Sequence, residues 1–289
     1  MVSIVMPVAR EGKDLYDRVR ILNYELKSRF ASRNIAYEII LVSDIFHRPT
    51  MVAMIRLARE GVAKCLFLSQ RIGKGGSVKN AILYTRGDYI VLLDADIPVS
   101  VDILCRAVVL AMSKRLDLLI ANRVHRSHSL MRYVLSIAYN SLVNLLFRTS
   151  IKDHQAGFKI LSRRAARIIL LGRTRTDGLA YDTEVIVWTL IHRLRYGAID
   201  VVWREQRLGS TILPLRALLT MMTDLITLRL ITFMKRYIMP QKLAIGRVIE
   251  LKKVHIVGSE FITMMRASGL KKYLLDILRK LYITVAFGR

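Results

Sequence analysis

Across residues 1–121, apolar runs rich in Val and Ile alternate with helical patterns, an order that a wound α/β sheet accommodates and few other folds do. The runs read as strands at Ser3–Met6, Tyr37–Ser43, Ala63–Leu68, Tyr89–Leu93 and Leu118–Ala121. Between the first two, Leu15, Val19, Leu22, Leu26 and Phe30 form one stripe of an amphipathic helix, with Asp14 placed to cap it. Further helices are expected over Pro49–Glu60, Ser77–Thr85 and Asp102–Lys114. A series of βα units predicts a mostly parallel sheet covered by helices on both faces. In such a sheet, ligands bind where the strands end.

Those strand ends carry the polar residues. In Gly87–Pro98 (GDYIVLLDADIP) a buried-strand pattern runs directly into Asp94 and Asp96. On an extended chain alternate residues point the same way, so both carboxylates can address one divalent cation and the phosphates it carries. The alternative is that one caps the next helix and the other is solvated. Pro7–Glu11 follows the first strand, Asp44 the second and Arg71–Gly76 (RIGKGG) the third. The last is not a Walker motif, because it lacks the spacing and the Ser/Thr after the lysine. It offers bare backbone N–H groups, the Lys74 cation and a helix start, a set that suits a phosphate, although taken alone it reads more readily as a plain loop. Convergence of these loops on one sheet edge favours a nucleotide site.

The second half changes character. Leu130–Phe147 is a long apolar helix interrupted by Arg132, Asn140 and Asn144, and it leads into the polar cluster Asp153–Lys159 (DHQAGFK). Tyr181-Asp182-Thr183-Glu184 precedes an apolar helix over Val185–Leu194, where Asp182 or Thr183 is a natural N-cap and Glu184 complements the dipole. His154 reads as a satisfied polar residue, since the six histidines are scattered without ligand spacing. Cys65 and Cys105 sit in apolar contexts and read as buried thiols of a reducing compartment, with no zinc or disulfide framework.

The 289-residue chain has a formal net charge of +25 and is 53% hydrophobic, with a mean hydropathy of +0.33. A nucleic-acid binder of this charge is normally polar; a basic and apolar chain suits an anionic membrane surface. No recognition helix, stacking-aromatic strand or zinc module stands out, so no nucleic-acid partner is expected. The chain opens on a strand pattern without a signal peptide, which suggests a cytoplasmic location. Ile212–Tyr237 and Ser259–Phe287 mix apolar faces with cations. In the latter, Leu270, Leu274, Leu278, Leu281 and Val285 share one face while Lys271, Lys272, Arg279 and Lys280 cluster away from it. Such helices suit peripheral or monotopic attachment to an anionic membrane, or alternatively packing within the protein or a homo-oligomer interface.

The order of motifs resembles the family 2 glycosyltransferases of the polyprenyl-phosphate sugar synthase group, and within it the dolichyl-phosphate β-glucosyltransferases. RIGKGGSV is similar to that group's RGKGGAV loop, LLDADIP to its DAD, DHQAGFK to its DTQCGFK and YDTEVI to its FDVELL. Trp203-Arg204-Glu205 with Gly209-Ser210 resembles its WxE and GS pair, and Met222-Thr-Asp224-Leu-Ile-Thr-Leu-Arg229 its closing DLxxIR. The resemblance runs from about Pro7 to Arg229. It implies a GT-A fold over 1–211, with 1–121 as the nucleotide-sugar half and 122–211 as the acceptor half; the amphipathic basic pattern of 212–289 suggests a membrane-associating helical region after it.

The resemblance also implies roles. Pro7, Ala9, Glu11 and Asp44 match the loops that meet the nucleoside, and Arg71 and Lys74 the donor phosphates. Asp96 matches a ligand of Mg²⁺ or Mn²⁺, and Asp94 the carboxylate facing nucleotide and metal. Asp153 and Gln155 match the reaction-centre motif, while Arg123, Lys159, Trp203 and Ser210 fall on the acceptor side. The implied reaction moves a hexose from a nucleoside diphosphate sugar, UDP-glucose in this subgroup, to a polyprenyl (dolichyl) phosphate on the cytoplasmic face of a membrane. GDP-mannose as donor, a soluble acceptor such as phosphoglycerate, or a lipid- or nucleic-acid-binding protein on a degenerate nucleotide fold are the alternatives. The chain departs from the family pattern at Ala9-Arg10 (Tyr-Asn in the family), Ser43 (Asp) and Ala156 (Cys), which bears on base stacking and donor identity.

Overall fold

The computed structural model describes residues 1–124, 130–172, 174, 176–178, 180–203, 215–237 and 254–257. The strands are β1 (Val2–Val8), β2 (Tyr37–Ser43), β3 (Lys64–Leu68), β4 (Tyr89–Leu92), β5 (Leu118–Val124), β6 (Lys159–Ser162), β7 (Tyr196–Val202) and β8 (Val254–Val257). They form one eight-stranded sheet in the order β7-β5-β6-β4-β1-β2-β3-β8. β1 runs parallel to β2 and β4, β2 to β3, and β5 to β7. β6 is antiparallel to both β4 and β5, and β8 is antiparallel to β3.

The helices are α1 (Asp14–Ala31), α2 (Arg48–Arg59), α3 (Gly73–Ile82), α4 (Val101–Ser113), α5 (Leu130–Phe147), α6 (Arg163–Ala166), α7 (Tyr181–Ile191) and α8 (Leu215–Tyr237), with a π-helical turn (Arg167–Leu171) continuing α6. Successive strand residues feed opposite layers. Val2, Ile4 and Met6 of β1 pack with α1, α2 and α4 through Leu22, Met54 and Leu104. Val5 packs with α3 and α7 through Val78 and Val185. Burial on both faces is why the strands read as continuous apolar runs instead of alternating ones. α5 and α8 pair separately, through Tyr139 and Val143 against Met221 and Leu225.

Several boundaries differ from expectation. α1 has Lys13 at its N-cap without a side-chain cap, so Asp14 lies inside the first turn. α3 begins at Gly73 and not at Ser77, because the glycine run itself forms the first turn: Gly73 adopts φ +83°, a conformation other residues reach only with strain. α7 begins at Tyr181 with Ala180 as its N-cap and no side-chain cap, which frees Asp182 and Glu184 to turn inward. The stretch 122–211 builds into the same sheet as 1–121, since β6 inserts between β4 and β5. Of 212–289, the described residues supply the expected helix α8 and the unexpected edge strand β8. The expected helix over 259–287 lies outside the described residues.

Candidate active site

The C-terminal ends of the parallel strands share one edge, and antiparallel β6 starts from that same edge. The register pairs Leu92 of β4 with Lys159 of β6, so the loop carrying Asp153–Phe158 lies beside Asp94. Pro7 lies one residue before the end of β1, and the following loop is tied down by Glu11 pairing with Arg18 at 3.5 Å and by the Gly12 N–H donating to Thr50 Oγ1 at 2.9 Å. His47 Nδ1 lies 2.7 Å from the same hydroxyl. The loop carrying Ala9 and Glu11 is thereby held at the strand edge by α1 and the start of α2.

Asp44 has a definite task. Its Oδ2 accepts from the Ile72 N–H at 3.0 Å and the Gly73 N–H at 2.6 Å, capping α3 from the neighbouring strand. The Gly75 and Gly76 N–H groups donate to the Asp177 carbonyl at 2.9 and 3.2 Å. The glycine loop therefore does not present the bare N–H groups expected of it. Its glycines serve close packing instead: a Cβ on Gly73 would fall 2.5 Å from the Asp177 carbonyl oxygen, and one on Gly75 would fall 2.7 Å from the Tyr181 Cβ. Arg71 is exposed at the mouth of this loop.

What the loop does present is Lys74. Its ammonium lies 2.7 Å from Asp94 Oδ1 and 3.5 Å from Asp182 Oδ2. Asp182 Oδ1 in turn receives the ammonium of Lys159 at 2.6 Å, and Lys159 also donates to the Ala156 carbonyl. Carboxylates and cations thus alternate as Asp94, Lys74, Asp182 and Lys159. Burial works against the Lys74 ammonium, but the charges of Asp182 and Asp94 outweigh it and hold the group well above the ordinary lysine range. Burial likewise opposes the Asp94 carboxylate, and Lys74, Lys159 and Arg123 overcome that and lower its pKa.

Lys159, expected on the acceptor side, is instead a buried structural cation. It is fully buried and spent on Asp182 and a carbonyl, so it has no reach to an acceptor. Asp182 belongs to the same charged cluster, although by sequence an acidic residue at a helix start reads as a cap. The likeness of YDTEVI, which contains Asp182, to the family's FDVELL motif is the available signal. Glu184 is also buried; it accepts from the Thr176 N–H and hydroxyl and from the Trp188 indole, fastening the 176–178 segment.

Asp94 and Asp96 do not continue the strand. The Ile97 N–H donates to the Asp94 carbonyl at 3.0 Å, closing a turn in which Ile97 takes φ +48°, an unusual value for a β-branched residue. The alternation argument for the two carboxylates therefore does not hold, and it is the turn that positions Asp96. As a metal site the pair still fits. It offers hard oxygen donors, and Lys74 against Asp94 shows that the position draws a cation. Among the described residues no group of three His, Cys, Asp or Glu side chains could hold a metal ion, so phosphate oxygens would complete the shell, as is common for Mg²⁺.

Beside this lies the second charged group. Asp153 is buried, and its carboxylate receives Arg123 in a two-pronged pair, Nε to Oδ2 at 2.6 Å and Nη2 to Oδ1 at 3.0 Å. The Gln155 N–H adds a bond to Oδ1 at 3.2 Å. The Arg123 guanidinium lies over the Trp203 ring, 5.2 Å from its centre. His154 is buried against Asn140 and Thr149, and burial, followed by the charge of Lys159, lowers its pKa to about 4. Tyr139, not anticipated, bonds Thr183 at 2.8 Å, and burial raises its phenol to about 12. The structure thus brings Lys74, Asp94, Asp182, Asp153 and Arg123 to one edge. Ser210 lies outside the described residues.

Comparison with known proteins agrees with this geometry. The family model "Glycosyl transferase family 2" matches residues 3–170. Glycosyltransferase AglD of Haloferax volcanii is 30% identical over 212 residues, 71% of this chain and 33% of the relative. Dolichyl-phosphate beta-glucosyltransferase of Saccharomyces cerevisiae is 27% identical, over 70% of this chain and 66% of the relative. The chain therefore spans a third of the first relative's length and just under two thirds of the second's. Glucosyl-3-phosphoglycerate synthase of Mycobacterium tuberculosis, solved with Mn²⁺, UDP and glucosyl-3-phosphoglycerate, superposes with a TM-score of 0.59 at 16% identity, over 84% of this chain and 81% of that one. At that identity the likeness is one of fold.

Proposed function

The chain belongs to glycosyl transferase family 2, and on that premise we propose that it transfers glucose from UDP-glucose to a polyprenyl (dolichyl) phosphate with inversion, at the cytoplasmic face of a membrane. The observation that carries this reading is the pairing of two cationic groups on one edge. Lys74 stands at Asp94, Arg123 stands at Asp153, and the two groups are near enough that Arg123 contributes to lowering the Asp94 pKa. A transferase joining a diphosphate donor to a phosphate acceptor needs two such anion subsites side by side. The yeast relative's named acceptor and the UDP of the structural neighbour support the choice of substrates.

The residues divide the work accordingly. Asp96 and Asp94 would hold Mg²⁺ or Mn²⁺, which when bound neutralises charge on the leaving diphosphate. Lys74 adds a cation on the same side, and Arg71 lies at the mouth of the same loop. Pro7, Ala9, Glu11 and the Asp44-capped start of α3 line the nucleoside end. Arg123, backed by Trp203, receives the acceptor phosphate, with Gln155 beside it. An oxygen of that phosphate attacks the anomeric carbon while the bond from that carbon to the diphosphate oxygen breaks, releasing the nucleoside diphosphate. A phosphate monoester has a second pKa of about 6 and is mostly dianionic at neutral pH, so no strong general base is required. Asp153 accordingly acts by orienting Arg123 and the acceptor.

The test is incubation with labelled UDP-glucose, UDP-GlcNAc and GDP-mannose in turn, each with a polyprenyl phosphate and 3-phosphoglycerate together, followed by lipid extraction and recovery of the water-soluble products. Label from UDP-glucose in an acid-labile lipid phosphodiester is the expected result. Label entering lipid from GDP-mannose alone would overturn the donor, and label found only on phosphoglycerate would overturn the acceptor.

A further inference from the structure

Lys74 occupies a position that the transferase reading reserves for a metal ion. Its ammonium sits 2.7 Å from Asp94 Oδ1, and Gly157 packs closely against the other oxygen of that carboxylate, Oδ2. On the other side the ammonium already lies 3.5 Å from Asp182 Oδ2. Asp182 is itself immobilised, since its second oxygen is clamped by fully buried Lys159 at 2.6 Å. Lys74 sits at the start of α3, in the glycine run Gly73-Lys74-Gly75-Gly76, where packing on Asp177 and Tyr181 fixes the backbone. The backbone is therefore rigid, while the lysine side chain has two carboxylates within reach.

We propose that Lys74 is an internal stand-in for the divalent cation: it neutralises Asp94 in the nucleotide-free protein and yields that carboxylate to the metal when a nucleoside diphosphate arrives. A lysine ammonium and a divalent cation cannot share one carboxylate without strong repulsion. With Lys74 seated, metal binding is disfavoured. An incoming diphosphate gives the ammonium a new anion, and Asp182 keeps it within the site during the exchange. Metal and nucleotide binding are then coupled, each raising the affinity of the other. Asp182 and Lys159 are positioning residues in this scheme; they set the place from which Lys74 moves. The inference rests on the transferase reading above, but concerns the protein before any donor is bound.

The experiment is titration of Mn²⁺ into the full-length protein, with the free ion followed by electron paramagnetic resonance, without and then with UDP. Wild type, Lys74→Met and Lys74→Arg are compared. Without UDP, Lys74→Met is expected to bind Mn²⁺ at least tenfold more tightly than wild type, and Lys74→Arg to resemble wild type. UDP is expected to tighten Mn²⁺ binding by a smaller factor in Lys74→Met. Equal or weaker Mn²⁺ binding by Lys74→Met in the absence of UDP would overturn the stand-in role. Should Lys74→Met fail to fold by circular dichroism, Lys74→Gln is held to the same criterion. A wild-type protein that binds no Mn²⁺ even with UDP would instead sink the metal-assisted transferase reading, so the two failures are distinct.

Discussion

Gly157 packs so closely on Asp94 that a methyl group at its Cα would overlap the carboxylate oxygen Oδ2. The contact joins the segment after β4 to the segment before β6, antiparallel neighbours in the sheet, and links the donor-side carboxylate to the Asp153 loop. It explains why the DHQAGFK cluster carries a glycine there.

Gly157→Ala is accordingly expected to cost about 1–3 kcal/mol of stability through overpacking, while displacing the Asp94 carboxylate. UDP-dependent Mn²⁺ binding, measured calorimetrically, should weaken at least tenfold. Binding at wild-type affinity in a folded variant would show that Asp94 does not need its present position.

Asp153→Asn removes the charge that faces Arg123 while keeping the shape. Turnover is expected to fall about 100-fold through lost orientation, with the affinity for UDP and Mn²⁺ unchanged. Loss of a charge-assisted pair in so buried a place should also lower stability by about 1–3 kcal/mol in urea unfolding. Loss of donor binding would transfer Asp153 to the donor side.

Lys159→Met tests a buried role against a ligand role. Removing one partner of a buried ion pair costs about 3–5 kcal/mol, so a large drop in melting temperature is expected. An unchanged melting temperature with a raised KM for the acceptor would restore Lys159 to the acceptor site.

His154 makes stability depend on pH. Burial, aided by the charge of Lys159, holds it near 4 where an ordinary histidine titrates at 6.5. The folded state thus resists a proton that the unfolded chain accepts. Its contribution is complete above about pH 6.5 and is lost as the pH falls toward 4, a change of about 3 kcal/mol across that window. Urea midpoints measured between pH 7 and 4 should show the decline, and His154→Gln should flatten it.

Ile226, Leu230 and Phe233 line one stripe of α8 and are 55%, 58% and 45% exposed. No helix of the described residues is long and apolar enough to cross a membrane, so a surface attachment would use such a stripe together with the net charge. Binding to anionic phosphatidylglycerol vesicles at low salt is expected, weakened several-fold by Leu230→Asp and by added salt. Indifference of the wild-type protein to such vesicles would remove α8 from membrane attachment.

The strands of residues 1–121, the long helix 130–147 and the location of the polar loops were legible in the sequence, because each depends on local patterns of apolar spacing and strand ends. The buried thiols Cys65 and Cys105 and the satisfied His154 were legible for the same reason: composition around a residue reports burial. Partners were not. That Asp44 caps α3 across a gap of 28 residues, and that Lys159 is sealed against Asp182, are pairings no local pattern reports.

By itself the sequence determined an α/β sheet with its polar residues at the strand ends, since the hydrophobic effect acts on patterns a few residues long. Only the tertiary structure decided that β6 enters the sheet backwards and carries Asp153 and Gly157 to Asp94. It alone brought Lys74 to Asp182, 108 positions away in the chain. Such pairings are settled when distant segments pack together and each buried charge must find its counter-charge.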